Sequence, residues 1–163
     1  LDFLQYRVIF VCTTKQENRT VKKEPPVLLH HCLYFTANSL ARVITRMAEE
    51  EFRITGMSPS HAFLLMLVNA TPGITQKELS HQLQLTPSTV TRFIDHLVHR
   101  GYLNRRIKGK TSEIYPTEKG SQLRETFGIA WHRLFERYSA VLGEEYGRQL
   151  TEMTDKASQK LGD

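Results

Sequence analysis

The stretch that decides the fold is TQKELSHQLQLTPSTVTRFIDHLVHRG, Thr75 to Gly101. It contains two helix starts in close succession. Thr75-Gln76-Lys77-Glu78 fits a capping box, in which a threonine hydroxyl takes a free backbone N–H and the glutamate three residues on reaches back. Thr86-Pro87 is a cap followed by proline at the first helical position, where the missing N–H costs nothing. Leu79 and Leu83 share one face of the first helix. Val90, Ile94, Leu97 and Val98 share one face of the second, which Gly101 closes. Only Gln84 and Leu85 separate the two, so the pair reads as a helix-turn-helix.

The second helix begins with small polar residues. Thr86 caps it, and Ser88, Thr89, Thr91 and Arg92 lie off its apolar face near the start. Small side chains let a helix N-terminus approach base edges in the major groove. Serine and threonine can bond bases or phosphates, and Arg92 can pair with guanine or with phosphate. After Gly101 the period changes from helical to alternating. Tyr102 to Ile107, Lys108-Gly109-Lys110 and Ser112 to Tyr115 read as a hairpin with glycine in its turn. This hairpin would form a wing, and it carries Arg105, Arg106, Lys108 and Lys110. From Thr86 to Gly120 there are seven Lys/Arg against three acids, a net +4, which is most of the +5 of the whole chain. A basic surface beside a reading helix is the electrostatic footprint of duplex binding. A solvated charged face, or a winged helix that binds protein and carries its basic wing incidentally, is the alternative reading.

Outward from this region the pattern stays helical. Ser58-Pro59 opens a helix (HAFLLMLVNA) that is apolar nearly all round, so it should be the most buried one. Pro72-Gly73 ends it. Before it, Leu33, Leu40, Val43, Ile44 and Met47 mark one face of a long helix running to about Phe52. Thr117 caps a further long helix continuing to Leu142. A last helix places Tyr146, Leu150, Met153, Ala157 and Leu161 on one side. The first 27 residues read as an arm and linker, either loosely held or packed on a partner subunit. Leu1–Val11 is apolar, but Asp2 stands where a signal peptide would be basic.

The 163 residues suit one domain with an arm, and 40% apolar with 24% charged residues is ordinary globular composition. The two cysteines, Cys12 and Cys32, are too few for a disulfide scaffold. No apolar run approaches the roughly 18–20 residues that span a bilayer. There is no phosphate-cradling glycine loop, no GxSxG and no zinc-protease spacing, so neither catalysis, a cofactor nor a metal is expected.

From about Leu28 to Leu161 the chain resembles the MarR family of bacterial transcription regulators. The resemblance is carried by ITQKELSHQLQLTPSTVTRFIDHLVHRGYLNRR (residues 74–106), the short wing after it, and IYPTEKG (residues 114–120) leading into the long helix. It implies a mainly α fold with a small β wing. The winged helix-turn-helix core, about residues 58–117, would be flanked by dimerisation helices over about 28–53 and 117–161. It also implies a cytoplasmic homodimer that binds a pseudo-palindromic site on double-stranded DNA, acts as an effector-responsive repressor, and has no membrane partner. The wing departs from the pattern: its tip, KGKTS, lacks the aspartate followed by paired arginines that many members carry. Arg106, Lys108 or Lys110 could each take the minor-groove role.

Two controls follow from the same resemblance. Members often bind small aromatic effectors between the dimer helices and the DNA-binding lobe. Phe35, Phe63, Trp131, Phe135 and Tyr138 are the candidate lining, although aromatics at helical spacing also serve as core or dimer interface. One branch senses hydroperoxides through a cysteine near the start of the first long helix, where Cys32 lies behind His30 and His31. The tyrosines that usually accompany that cysteine are not evident around Pro59.

Overall fold

A computed structural model of the chain describes residues 27–109 and 111–162. The expected N-terminal arm and the wing residue Lys110 lie outside the described residues. The chain divides into two units, residues 1–38 and 39–163.

In the first unit a 3-10 turn, Val27–His31, precedes α1 (Leu33–Phe52). Cys32 is exposed immediately before the helix. Its carbonyl accepts from the Thr36 N–H at 3.0 Å and from the Thr36 hydroxyl at 3.1 Å. The rings of His30 and Phe35 meet edge-on at 5.7 Å.

The second unit takes in the rest of α1, then α2 (Pro59–Ala70), β1 (Ile74–Thr75), α3 (Gln76–Leu83), α4 (Pro87–His99), β2 (Leu103–Lys108), β3 (Thr111–Pro116), α5 (Glu118–Ser121), α6 (Arg124–Leu142) and α7 (Glu144–Gly162). The fold is mainly helical with one small antiparallel sheet in the order β1-β3-β2. Ile74 pairs with Ile114, and β2 pairs with β3 from Leu103↔Pro116 to Lys108↔Thr111. The hairpin is therefore the expected wing with a third strand added at its base. That strand is only two residues long, too short to show alternation in sequence.

The core lies where α2 is enclosed. Ala62, Leu64, Leu65 and Val68 of α2 are fully buried, together with Leu79 of α3, Val90, Ile94 and Leu97 of α4, and Ile114 of β3. The expectation that α2 is the most buried helix is met. Pro59 stands at its first position, but the Ser58 hydroxyl makes no cap bond and instead meets His61 Nδ1 at 2.7 Å.

Two details differ from the sequence expectation. Val98 is 37% exposed rather than part of the buried face of α4. The face at 90, 94 and 97 follows the i, i+4, i+7 rule, and one further residue turns 100° out of it. The helix that Thr117 caps is also not continuous, because Gln122 and Leu123 separate α5 from α6. The buried Asn69 amide donates to the Gly120 carbonyl at 3.1 Å, and Arg124 donates back to the Asn69 carbonyl at 3.0 Å. These two bonds dock the break against the end of α2. Gly120 fits there only without a side chain, since a Cβ would stand 2.2 Å from the Tyr102 carbonyl oxygen.

Candidate nucleic-acid interface

Local capping bonds define the starts of both helices. At α3 the Thr75 N–H donates to Glu78 Oε2 at 2.8 Å, and the Glu78 N–H donates to Thr75 Oγ1 at 3.2 Å. The Thr75 hydroxyl and N–H hold the Glu78 carboxyl below its ordinary range. Gln84 then takes a left-handed conformation, φ +52°, which reverses the chain within two residues. At α4 the Thr86 Oγ1 accepts from the Thr89 N–H, and its hydroxyl lies 2.9 Å from the Thr89 hydroxyl and 3.1 Å from the Ser88 hydroxyl.

Several sequence candidates thus gather on the first turns of α4. Ser88 and Arg92 are exposed and Thr89 is half-buried. Thr91 is half-buried too, and its hydroxyl donates to the Pro87 carbonyl at 2.8 Å. Gln76, which the sequence reading did not single out, donates its side-chain amide to the same Thr91 hydroxyl at 2.6 Å.

The wing sorts the basic residues into held and free. Arg105 Nη2 meets Asp95 Oδ1 at 2.6 Å, which ties β2 to α4. The Arg106 guanidinium sits 4.7 Å from the Tyr115 ring centre, opposite its register partner Glu113. The Tyr115 hydroxyl donates to Glu113 Oε2 at 3.0 Å, and this bond to a carboxylate pushes its pKa up. Arg100 donates to the Gly56 carbonyl at 3.1 Å, Lys119 donates to the Arg100 carbonyl at 2.9 Å, and both flank the Tyr102 ring. Arg92 and Lys108 are exposed, and no carboxylate or carbonyl among the described residues holds either one. Ile107, beside Lys108, is 80% exposed.

Against α4, two histidines far apart in sequence come together. The His61 ring of α2 lies 4.8 Å from His96 and 4.4 Å from Phe93, both on α4. Burial, the facing His96 and then Arg100 hold the His61 pKa below the ordinary histidine value. No third ligand joins them: among the described residues no group of three or more His, Cys, Asp or Glu comes together.

The aromatic candidates do not form one wall. Phe63 of α2 stacks edge-on with Phe52 at 5.2 Å and with Trp131 of α6 at 5.6 Å. Phe135 and Tyr138 pair with each other at 5.5 Å. A cleft of about 340 Å³ is lined by Leu40, Ile44, Tyr138, Leu142 and Leu150, but not by Phe63, Trp131 or Phe135. Phe35 lies in the first unit. No helix among the described residues is long and apolar enough to cross a membrane.

Comparison with known proteins agrees with this geometry. Residues 57–109 match the MarR family. The chain superposes on MepR of S. aureus, solved as a complex with DNA, at 19% identity over 80% of this chain and 98% of that one, with a TM-score of 0.69. It superposes on CouR of Rhodococcus jostii RHA1, solved bound to p-coumaroyl-CoA, at 20% identity over 80% of this chain and 91% of that one, with a TM-score of 0.65. At these identities the likeness is one of fold. A curated riboflavin kinase from Pyrococcus abyssi is 35% identical over 69 residues, which are 42% of this chain and 29% of the kinase. This chain therefore matches less than a third of that protein's length.

Proposed function

From a chain whose reading region is of the MarR type, we propose a sequence-specific reader of double-stranded DNA that works as a cytoplasmic bacterial homodimer, without catalysis of its own. The observation that carries this reading is the sorting of side chains on one surface. Ser88, Thr89 and Arg92 present the first turns of α4, with Lys108 of the wing as a second cation that no described residue holds, while Arg105 and Arg106 beside it have internal partners. Thr86 and Thr91 brace that turn, and Arg105 and Arg106 add to the basic surface; Lys110, the remaining wing candidate, lies outside the described residues. Arg92 is suited to a base edge and Lys108 to a phosphate, because guanidinium is a planar fork and ammonium a point charge. A two-fold dimer would set two such surfaces on half-sites about one helical turn apart.

Repression and control by a small aromatic effector are the finer parts of the proposal. The ligand-bound CouR fold supports an effector, and Tyr138 on the cleft wall is the side chain that a thermal-shift screen of aromatic acids would probe first. Cys32 is proposed as a thiol open to oxidation on the ground of its exposure. Peroxide treatment should then change DNA affinity in the native chain and not in Cys32→Ser.

The deciding experiment is selection of random duplex DNA by the purified protein at physiological salt. Recovery of one pseudo-palindrome is expected. A protein-interaction module would recover no consensus, and its residual DNA binding would vanish at moderate salt. Log affinity for the recovered duplex should fall with log salt by roughly 0.9 per neutralised phosphate.

A further inference from the structure

Gln76 is the first residue of α3, directly after the capping residue Thr75 and inside the Thr75–Glu78 box. Its side-chain amide donates to Thr91 Oγ1 at 2.6 Å and reaches the Pro87 carbonyl at 3.4 Å. The Thr91 hydroxyl in turn donates to that same carbonyl at 2.8 Å. The three groups close a small ring between the start of α3 and the first turn of α4. A threonine hydroxyl has one proton to donate and two lone pairs to accept with. Here the hydroxyl proton is donated to the Pro87 carbonyl and one lone pair accepts from Gln76, which leaves Thr91 without a donor for a base edge. Gln76 itself starts from a fixed point, because the reciprocal Thr75–Glu78 bonds set the backbone on which it stands.

We infer that Gln76 is a positioning residue of the DNA-reading surface: through the Thr91 hydroxyl it holds the first turn of α4 at a set angle to α3, and Thr91 serves this bridge rather than a base. The inference rests on the reading of α4 as the DNA-reading helix. It also gives the surface a division of labour, in which Ser88, Thr89 and Arg92 meet the DNA while Thr91 and Gln76 fix where they point. A misplacement of the first turn would spoil base contacts more than phosphate contacts, because base edges are met at fixed angles in the groove and phosphates by long, adaptable side chains.

The test uses the full chain with Gln76→Met, Thr91→Val, Thr91→Ser and the double variant Gln76→Met/Thr91→Val. Each is titrated against the duplex recovered by selection and against a duplex of random sequence. Gln76→Met and Thr91→Val should each weaken the selected duplex about tenfold through loss of the Gln76–Thr91 bond that both remove, and the double variant no more than either alone. Random-duplex binding should stay within about twofold for Gln76→Met, and Thr91→Ser should regain most of the specific affinity. Wild-type affinity in Gln76→Met beside a weakened Thr91→Val would make Thr91 a base contact and overturn the inference. Equal losses on both duplexes in Gln76→Met would make it a phosphate contact, with the same consequence. Amide hydrogen exchange of the free protein separates this inference from the functional reading. Faster exchange at Val90 to Arg92 in Gln76→Met supports the bridge even if selection recovers no consensus, and unchanged exchange overturns it.

Discussion

The lobe from α2 to β3 and the outer faces of α6 and α7 after it treat their apolar residues in opposite ways, although Phe127 and Ala130 of α6 join the core of the lobe. In the lobe, Leu64, Leu79, Ile94 and Ile114 are fully closed off from solvent by residues of the same chain. On α6 and α7, Val141, Met153 and Leu161 are 78%, 70% and 76% exposed. Both regions have helical apolar periodicity. The lobe meets its own complement within the chain, whereas α6 and α7 carry apolar side chains that no described residue covers. A contiguous exposed apolar face marks an interaction surface, which the proposed homodimer would cover. The difference teaches that stability of the reading surface and self-association should be separable properties.

The strongest way to break this comparison is to truncate one side chain in each region. Leu64→Ala or Ile94→Ala should cost about 2–5 kcal/mol, read by urea unfolding, through lost burial and the cavity left behind. Met153→Ala or Leu161→Ala should leave unfolding of the dilute chain nearly unchanged and lower self-association, read by sedimentation velocity. A concentration-independent loss in Met153→Ala as large as that in Leu64→Ala would end the distinction.

Arg92→Ala comes next. It should weaken the selected duplex by roughly 1–3 kcal/mol if the guanidinium reads a base, with sedimentation unchanged. Equal loss on random duplex would assign Arg92 to phosphate. Thr75→Ala should cost the lobe about 1 kcal/mol by opening the capping box at both ends of its reciprocal pair, and differential scanning calorimetry would show it.

The smallest expected effect is a pH dependence confined to the lobe. The folded chain holds His61 below its ordinary value, so the unfolded chain binds the proton first as pH falls. Stability should therefore decline as pH drops below about 6.5 and be insensitive to this group above it. His61→Gln should flatten that decline in urea midpoints between about pH 7.5 and about pH 5.5. An unaltered decline would mean that burial, with the facing His96 and Arg100, does not disfavour the His61 proton in the folded chain.

Helix starts were legible because capping is local chemistry. Thr75-Glu78 and Thr86-Pro87 need only residues within a turn of each other, and both caps form where they were read. The wing was legible for the same reason, its strands flanking Gly109. Elements that depend on distant partners were not. The break before Arg124 answers to Asn69, and the strand Ile74–Thr75 exists because Ile114 of β3 lies beside it. The site divides likewise. The basic excess between Thr86 and Gly120 is readable as a sum, but which cations are held depends on the placement of Asp95, Tyr115 and the Gly56 carbonyl. Gln76 passed unnoticed because its partner is fifteen residues away, on another helix.

The helix-turn-helix, the hairpin, the net charge of that region and the amphipathic character of the flanking helices are all readable in the order of residues alone. Each of these follows from short-range hydrogen bonding, backbone preference or composition. The tertiary structure decided which charges remain free, how α3 braces α4, that His61 and His96 share one place, and which apolar stripes are left open. Those outcomes rest on contacts between residues far apart in the chain, and such contacts take shape only when the core around α2 brings them within reach.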